Sequence, residues 1–297
     1  MSVPGSSAKN GEVKIVECPR DAWQGLSAFI PSETKAAYLR KLIDAGFKSI
    51  DAVSFVSPAA VPQMADSERV LELLRPPAHI EIVAIVVNRK GAERAIATGS
   101  VRTLGFPFSV SSEFLRRNQH QTPQAALEEL GAIMEMTRSA SLNSVVYLSM
   151  AFGNPYDDPW SASAVAEACD QIAELGARQI SLADTVGLAS PERITETIDA
   201  AIVSHPAVEF GAHLHARRID APQRVRAAFN AGCRRFDAAI GGIGGCPFAQ
   251  DALVGNIPTE ILLAELAARG ATQPKIGSLD ELIQQSATIA ANAGAPA

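Results

Sequence analysis

No apolar stretch in the 297 residues approaches the roughly 18 needed for a membrane-crossing helix. A membrane-spanning protein is therefore not expected. Basic runs are also missing: 26 Lys and Arg stand against 32 Asp and Glu, a formal charge of −6. A mildly acidic chain matches a phosphate backbone poorly, so nucleic acid is not an expected partner. The four cysteines, Cys18, Cys169, Cys233 and Cys246, show no C-x-x-C spacing. That argues against a zinc knuckle or a disulfide framework, and a reducing cytoplasm is the expected location. The first dozen residues, Met1 to Glu12, are small and polar. They lack the basic and apolar regions of a secretory signal and are expected to form a flexible segment, 1–12.

What is present is enough apolar content for a large core, 47% of the chain. Short β-rich runs alternate with stretches of helical period. Strands are expected at Val13–Glu17, Ser49–Val53, Ile80–Val87, Arg102–Phe106, Ser144–Ser149, Gln179–Ala183, Val208–Leu214 and Arg235–Ala239. Helices are expected, among others, at Ser32–Ala45, Pro123–Ser139, Ser161–Leu175, Pro191–Ser204 and Ala221–Ala231. Ser190-Pro191 and Ser161 carry helix-start signals. Gly46, Gly176 and Gly232 stand where helices hand over to strands, a position that favours a left-handed residue.

About eight βα units imply an α/β fold, a TIM (β/α)8 barrel over residues 13–297 with extra C-terminal helices. A doubly wound open sheet shows the same alternation. Polar residues clustered at strand C-terminal ends favour the barrel, whose active sites are built there. They include Arg20-Asp21, Asp51, Ser54, Ser149, Asp184-Thr185 and His213-x-His215. A further helix is expected over Ser278 to Ala291.

His213-Leu214-His215 ends the run VEFGAHLH. Residues i and i+2 of a strand share a face, so both imidazoles would point inward at the barrel mouth and suit a divalent first-row ion. An H-x-H alone is slightly more often one core histidine and one facing solvent. Asp21, after the first strand, and Asn256, after the last, are the natural oxygen ligands, because those strands neighbour in a closed barrel. Separately, Asp21 reads equally as a helix cap and Asn256 as a turn residue. Together the four form an N/O set suited to Mg²⁺ or Mn²⁺. The glycine-dense run 241–250, GGIGGCPFAQ, reads either as a phosphate cradle or as a mobile lid carrying Cys246. It lacks the GK[ST] ending of a P-loop. A lone cysteine is usually inert and buried; beside Pro247 in a loop on the catalytic face, Cys246 is read as functional.

These motifs resemble the 3-hydroxy-3-methylglutaryl-CoA lyase family of the DRE-TIM metallolyase superfamily. The matching runs are VKIVECPRDAWQ (13–24), SIDAVSFVSPAAVPQMAD (49–66), SSEFLRRN (111–118), ISLADTVGLASP (180–191), HLH (213–215) and GGIGGCPFAQDALVGNIPTE (241–260). The resemblance implies a lyase that splits a 3-hydroxy-3-methylglutaryl-CoA-like 3-hydroxyacyl-CoA into acetyl-CoA and an oxoacid. It implies Mg²⁺ or Mn²⁺ on Asp21, His213, His215 and Asn256, enolate stabilisation by Arg20, and proton transfer by Cys246. Asp184 would belong to the catalytic polar shell and Asn118 would touch the acyl-CoA. Gln24, Asp51, Ser54, Thr185 and Arg217 complete the candidate substrate contacts. A dimer or larger homo-oligomer is implied as well.

The chain also departs from the family pattern. The usual GPRDGLQNEK is CPRDAWQGLS here, which puts bulky Trp23 beside Asp21, where it is expected to narrow the substrate pocket, and removes a lysine. The family's strand-two glutamate is Asp51, and the D-T-Y-G after H-x-H becomes Ala216-Arg217-Arg218-Ile219. The two arginines read as a grip on a carboxylate or phosphate, or equally as solvated cations. The metal chemistry is expected to stand while the substrate varies: another hydroxyacyl-CoA or a CoA-free hydroxyacid. Claisen-type condensation is a further reading within the superfamily, and a non-enzymatic binding protein is the reading from outside it.

Overall fold

Eight parallel strands close on themselves in sequence order, each pairing with its neighbours and the last with the first. The structure is a computed structural model that describes residues 12–244 and 254–294. The elements run β1 (Lys14–Glu17), α1 (Pro19–Gln24), α2 (Ser32–Asp44), β2 (Ser49–Ser54), α3 (Ser67–Leu74), β3 (Glu81–Ile85), α4 (Arg89–Ala97), β4 (Thr103–Ser109), α5 (Ser112–Gln119), α6 (Pro123–Ser139) and β5 (Asn143–Ser149). They continue with α7 (Ala162–Glu174), β6 (Gln179–Asp184), α8 (Pro191–Ser204), β7 (Glu209–Leu214), α9 (Ala221–Asn230), β8 (Arg235–Ala238), α10 (Thr259–Ala268) and α11 (Asp280–Asn292). This is the TIM barrel expected from the alternation, and the open sheet is excluded.

The strands are apolar on both faces because helices cover the outside and side chains fill the inside. Ile50, Ile82, Leu104, Val146 and Leu182 pack outward against the helices. Val16, Val83, Ile85, Val145 and Tyr147 fill the barrel. Serine caps form where Ser161 and Ser190 accept hydrogen bonds from the backbone of Ala164 and Arg193. Gly46, Gly176 and Gly232 take positive φ at the helix-to-strand turns.

Two local features differ from the expected pattern. The expected fourth strand ends at Phe106, but β4 runs through Pro107 to Ser109. Its pairing with β3 stops at Gly105 while β5 continues alongside to Ser149, so a proline beyond that point interrupts no ladder with β3. In β2 the register shifts between Asp51 and Val53. A bulge of this kind resets the alternation of faces, which is how Asp51 and Ser54 both reach the interior side. At the C-terminal end of the chain, α11 packs back on the barrel, with Ser286 donating to the Ile240 carbonyl. Among the described residues no helix is long and apolar enough to cross a membrane.

Candidate metal centre

The chain leaves β1 through Pro19, whose ring occupies the first turn of α1, where its missing N–H costs nothing. Asp21 therefore sits on a short helix and not in a loop. Arg20, Asp21 and Gln24 face the barrel mouth, while Trp23 turns the other way and meets the Tyr38 ring edge-on at 5.7 Å. Trp23 is buried between α1 and α2. The expectation that it narrows the substrate pocket is overturned, because the helical turn sends it into the core.

His213 and His215 project from the end of β7 toward Asp21. Their rings lie 5.1 Å apart, nearly perpendicular. His215 Nε2 is 3.5 Å and His213 Nε2 3.9 Å from Asp21 Oδ2. One donor atom from each of the three residues falls within 4.8 Å of the others. Asn256 joins them by donating from Nδ2 to Asp21 Oδ2 at 2.8 Å and to the Ile243 carbonyl at 3.0 Å. It also bridges to His215 through the backbone. Gly244 makes this closure possible: at φ +89°, a Cβ there would stand 2.7 Å from the Asp21 carbonyl oxygen.

Oxygen atoms lie behind both rings. His215 Nδ1 lies 3.1 Å and 3.2 Å from the carbonyl oxygens of Asp184 and Thr185. Those acceptors assign the proton to Nδ1, and Nε2 is left buried without a hydrogen-bond partner. His213 Nδ1 is 3.3 Å from Asp237 Oδ2. An unpartnered imidazole nitrogen beside a carboxylate, each ring backed by an oxygen, is the environment of a histidine ligand. Burial alone would raise the Asp21 pKa, but His215, Arg20 and His213 hold it far below the ordinary carboxylate range. Burial would lower the His215 pKa, yet Asp21 pulls it up. The centre attracts positive charge, and its mixed oxygen and nitrogen donors fit a divalent cation.

Arg20 is locked in place by carboxylates. Its Nε donates to Asp51 Oδ1 at 3.1 Å, Nη2 bonds Asp51 Oδ2, and Nη1 reaches Asp21 Oδ1 at 3.2 Å and Gln24 Oε1 at 2.9 Å. Burial disfavours its charge, but Asp51 and Asp21 outweigh this and push its pKa above the ordinary value.

Above the centre opens a cavity of about 350 Å³ lined by Arg20, Asp21, Gln24, Ser54, Asn118, Thr185, His213 and His215, together with Ser57, Asn88, Gln119, His120, Tyr147, Ser149 and apolar residues. Three expected contacts do not reach it among the described residues. Asp51 is fully buried behind Arg20. Asp184 spends its carboxylate on the backbone N–H groups of Leu188 and Ala189 and on Arg224. Arg217 points to solvent and pairs with Asp220 at 2.6 Å, and Arg218 pairs with Glu260. Cys246 lies outside the described residues.

Asp237, Arg235 and Arg224 were not singled out as site residues from the sequence. The first two had a signal: two charges spaced i, i+2 in an otherwise apolar strand share one buried face. Arg224 had none, since an arginine early in a polar helix reads as a surface cation.

A family model described as HMGL-like matches residues 12–289. Mitochondrial hydroxymethylglutaryl-CoA lyase of Mus musculus is 33% identical over 260 residues, covering 87% of this chain and 79% of that protein. The (R)-citramalyl-CoA lyase of Chloroflexus aurantiacus is 33% identical over 295 residues, covering 96% of this chain and 92% of that one. Among solved structures, an HMG-CoA lyase from Acenitobacter baumannii in complex with coenzyme A and 3-methylmalate superposes with a TM-score of 0.87. It is 31% identical and covers 97% of this chain and 93% of that chain.

Proposed function

This chain belongs to the HMGL-like family, and from that premise we propose that it cleaves a 3-hydroxy-3-methylglutaryl-CoA-like thioester with the help of Mg²⁺ or Mn²⁺. It is a carbon–carbon lyase of that family. The observation that carries the metal-dependent reading is the convergence of Asp21, His213 and His215 beneath Arg20 at the floor of one cavity. The ion would be held by these three and by Asn256. When bound, it acidifies the substrate hydroxyl and orients it.

The hydroxyl loses its proton to Asp21 or His213, both of which face the cavity. The oxygen lone pair becomes the carbonyl of the departing oxoacid. The carbon–carbon bond breaks, and its electrons pass into a thioester enolate. Arg20, fixed by Asp51 and Asp21, lies against the cavity and stabilises that oxyanion without having to reorganise. Asp237, 3.3 Å behind His213 Nδ1, is assigned to orienting that ring. Cys246 is assigned the proton that quenches the enolate carbon and yields acetyl-CoA. Ser54, Asn118 and Thr185 line the cavity and are assigned to substrate contact. The active form is proposed to be a dimer or larger.

A second reading keeps the chemistry and shortens the substrate, and the (R)-citramalyl-CoA lyase relative supports it by matching nearly the whole chain. Products separate the two. Incubating the purified protein with Mn²⁺ and a panel of 3-hydroxyacyl-CoAs, with mass spectrometry of the products, is expected to show acetyl-CoA plus acetoacetate for the first reading. Acetyl-CoA plus pyruvate would establish the second. Absence of any acetyl-CoA from the panel contradicts both.

A further inference from the structure

We propose that Arg224 is a positioning residue for the metal centre, fixing the ring of His215 by tying together the two segments that hold it. The inference rests on the metal-lyase reading for its purpose and on this chain's geometry for its content. Arg224 lies early in α9, where a charged side chain ordinarily extends into water, yet its guanidinium is largely buried. Its Nη1 donates to Asp184 Oδ2 at 2.8 Å and to the carbonyl of His215 at 2.5 Å, and Nη2 donates to the Gly187 carbonyl at 3.0 Å.

Those acceptors belong to two different strand ends. Asp184 ends β6 and Gly187 lies in the turn that follows, and the carbonyls of Asp184 and Thr185 take the Nδ1 proton of His215. The third acceptor is His215 itself. One planar cation thus sets the distance between the imidazole and the oxygens that select its tautomer, which keeps the Nε2 lone pair aimed at Asp21. The following residue, Ala216, is buried and has no polar side chain with which to anchor the strand end. Asp184, with a fully buried side chain, would be left as an uncompensated carboxylate behind His215 if Arg224 were removed.

The test is Mn²⁺ binding to the metal-stripped full-length protein, measured by equilibrium dialysis with electron paramagnetic resonance, for wild type, Arg224→Gln and Arg224→Lys. Arg224→Gln is expected to weaken Mn²⁺ binding about 10–100-fold. Arg224→Lys should fall between, because an ammonium reaches Asp184 but does not span all three acceptors. If Arg224→Gln does not fold, Arg224→Lys decides alone, with weaker binding supporting the proposal. A folded variant that binds Mn²⁺ as tightly as wild type overturns it.

A second readout needs no metal. Histidine ¹⁵N spectra at a pH where the ring is neutral should show His215 protonated at Nδ1 in wild type and as a tautomer mixture in the variant. An unchanged tautomer overturns the proposal. Failure of wild type to bind Mn²⁺ would instead overturn the metal reading, while the spectra would still decide the role of Arg224.

Discussion

His213 Nδ1 stands 3.3 Å from Asp237 Oδ2 in the barrel interior. The same carboxylate meets the Arg235 guanidinium at 3.0 Å and accepts from Ser181 Oγ at 2.9 Å. The histidine thus stands against an anion whose charge Arg235 already balances. Burial by itself would raise the Asp237 pKa, but Arg235 and His213 bring it below the ordinary carboxylate range. Asp237→Asn should weaken Mn²⁺ binding about 10–100-fold by loosening the ring. It should also cost about 3–5 kcal/mol of stability, because Arg235 would be buried without a counter-charge. Metal titration and urea unfolding check the two effects separately.

Gly211 makes room for that network. A Cβ on it would lie 2.6 Å from Arg235 Nη1 and 3.1 Å from Ser181 Oγ. Gly211→Ala is expected to displace the guanidinium and lower stability by about 1–3 kcal/mol, as overpacking of a closed interior does. Thermal melts measure it, and an unchanged midpoint would mean that Arg235 moves freely.

Glu17, behind the barrel wall, makes stability depend on pH. Burial pushes its carboxyl up from 4.5 to about 8, although hydrogen bonds from Thr259 and the Ile240 N–H pull the other way and Glu260 adds to the rise. Between those values the folded state keeps a proton that the unfolded chain releases. Stability from this group is therefore fully present at the acid end of the window and declines as pH rises through it, by up to about 1.4 kcal/mol per pH unit. Glu17→Gln should flatten that slope relative to wild type in urea unfolding at two pH values inside the window. Parallel slopes would contradict the assignment.

Arg20→Lys tests the oxyanion role. A lysine ammonium cannot bridge Asp51 in two bonds and reach Asp21 as well, so the charge facing substrate is no longer fixed. Turnover is expected to fall about 10²–10³-fold with Mn²⁺ binding retained. Steady-state kinetics at saturating metal would show it, and a mild loss counts against Arg20 as the enolate partner.

The strands were legible because they depend on short-range periodicity, whereas the histidine pair alone read slightly more often as structural, and Asp21 and Asn256 were joined to it by barrel closure and the family's motifs. Period-two alternation places the histidines together, and barrel closure brings β1 beside β8. Side-chain direction beyond a strand end was not legible. Trp23 and Asp21 are neighbours in sequence but face opposite sides of α1, whose helical turn the β1 pattern did not announce. Arg217 and Arg224 look alike in sequence, yet one pairs on the surface and the other is drawn inward by the buried Asp184. Only the packing of α9 against the β6 turn separates them.

The central claim is that metal held at Asp21, His213 and His215 enables carbon–carbon cleavage. The direct measurement is acetyl-CoA release from 3-hydroxy-3-methylglutaryl-CoA and citramalyl-CoA by EDTA-stripped protein during stepwise addition of Mn²⁺. The account predicts no cleavage without metal, recovery that saturates at one ion per chain, and no recovery in His215→Ala. Full cleavage by the stripped protein, or undiminished recovery in His215→Ala, would contradict it.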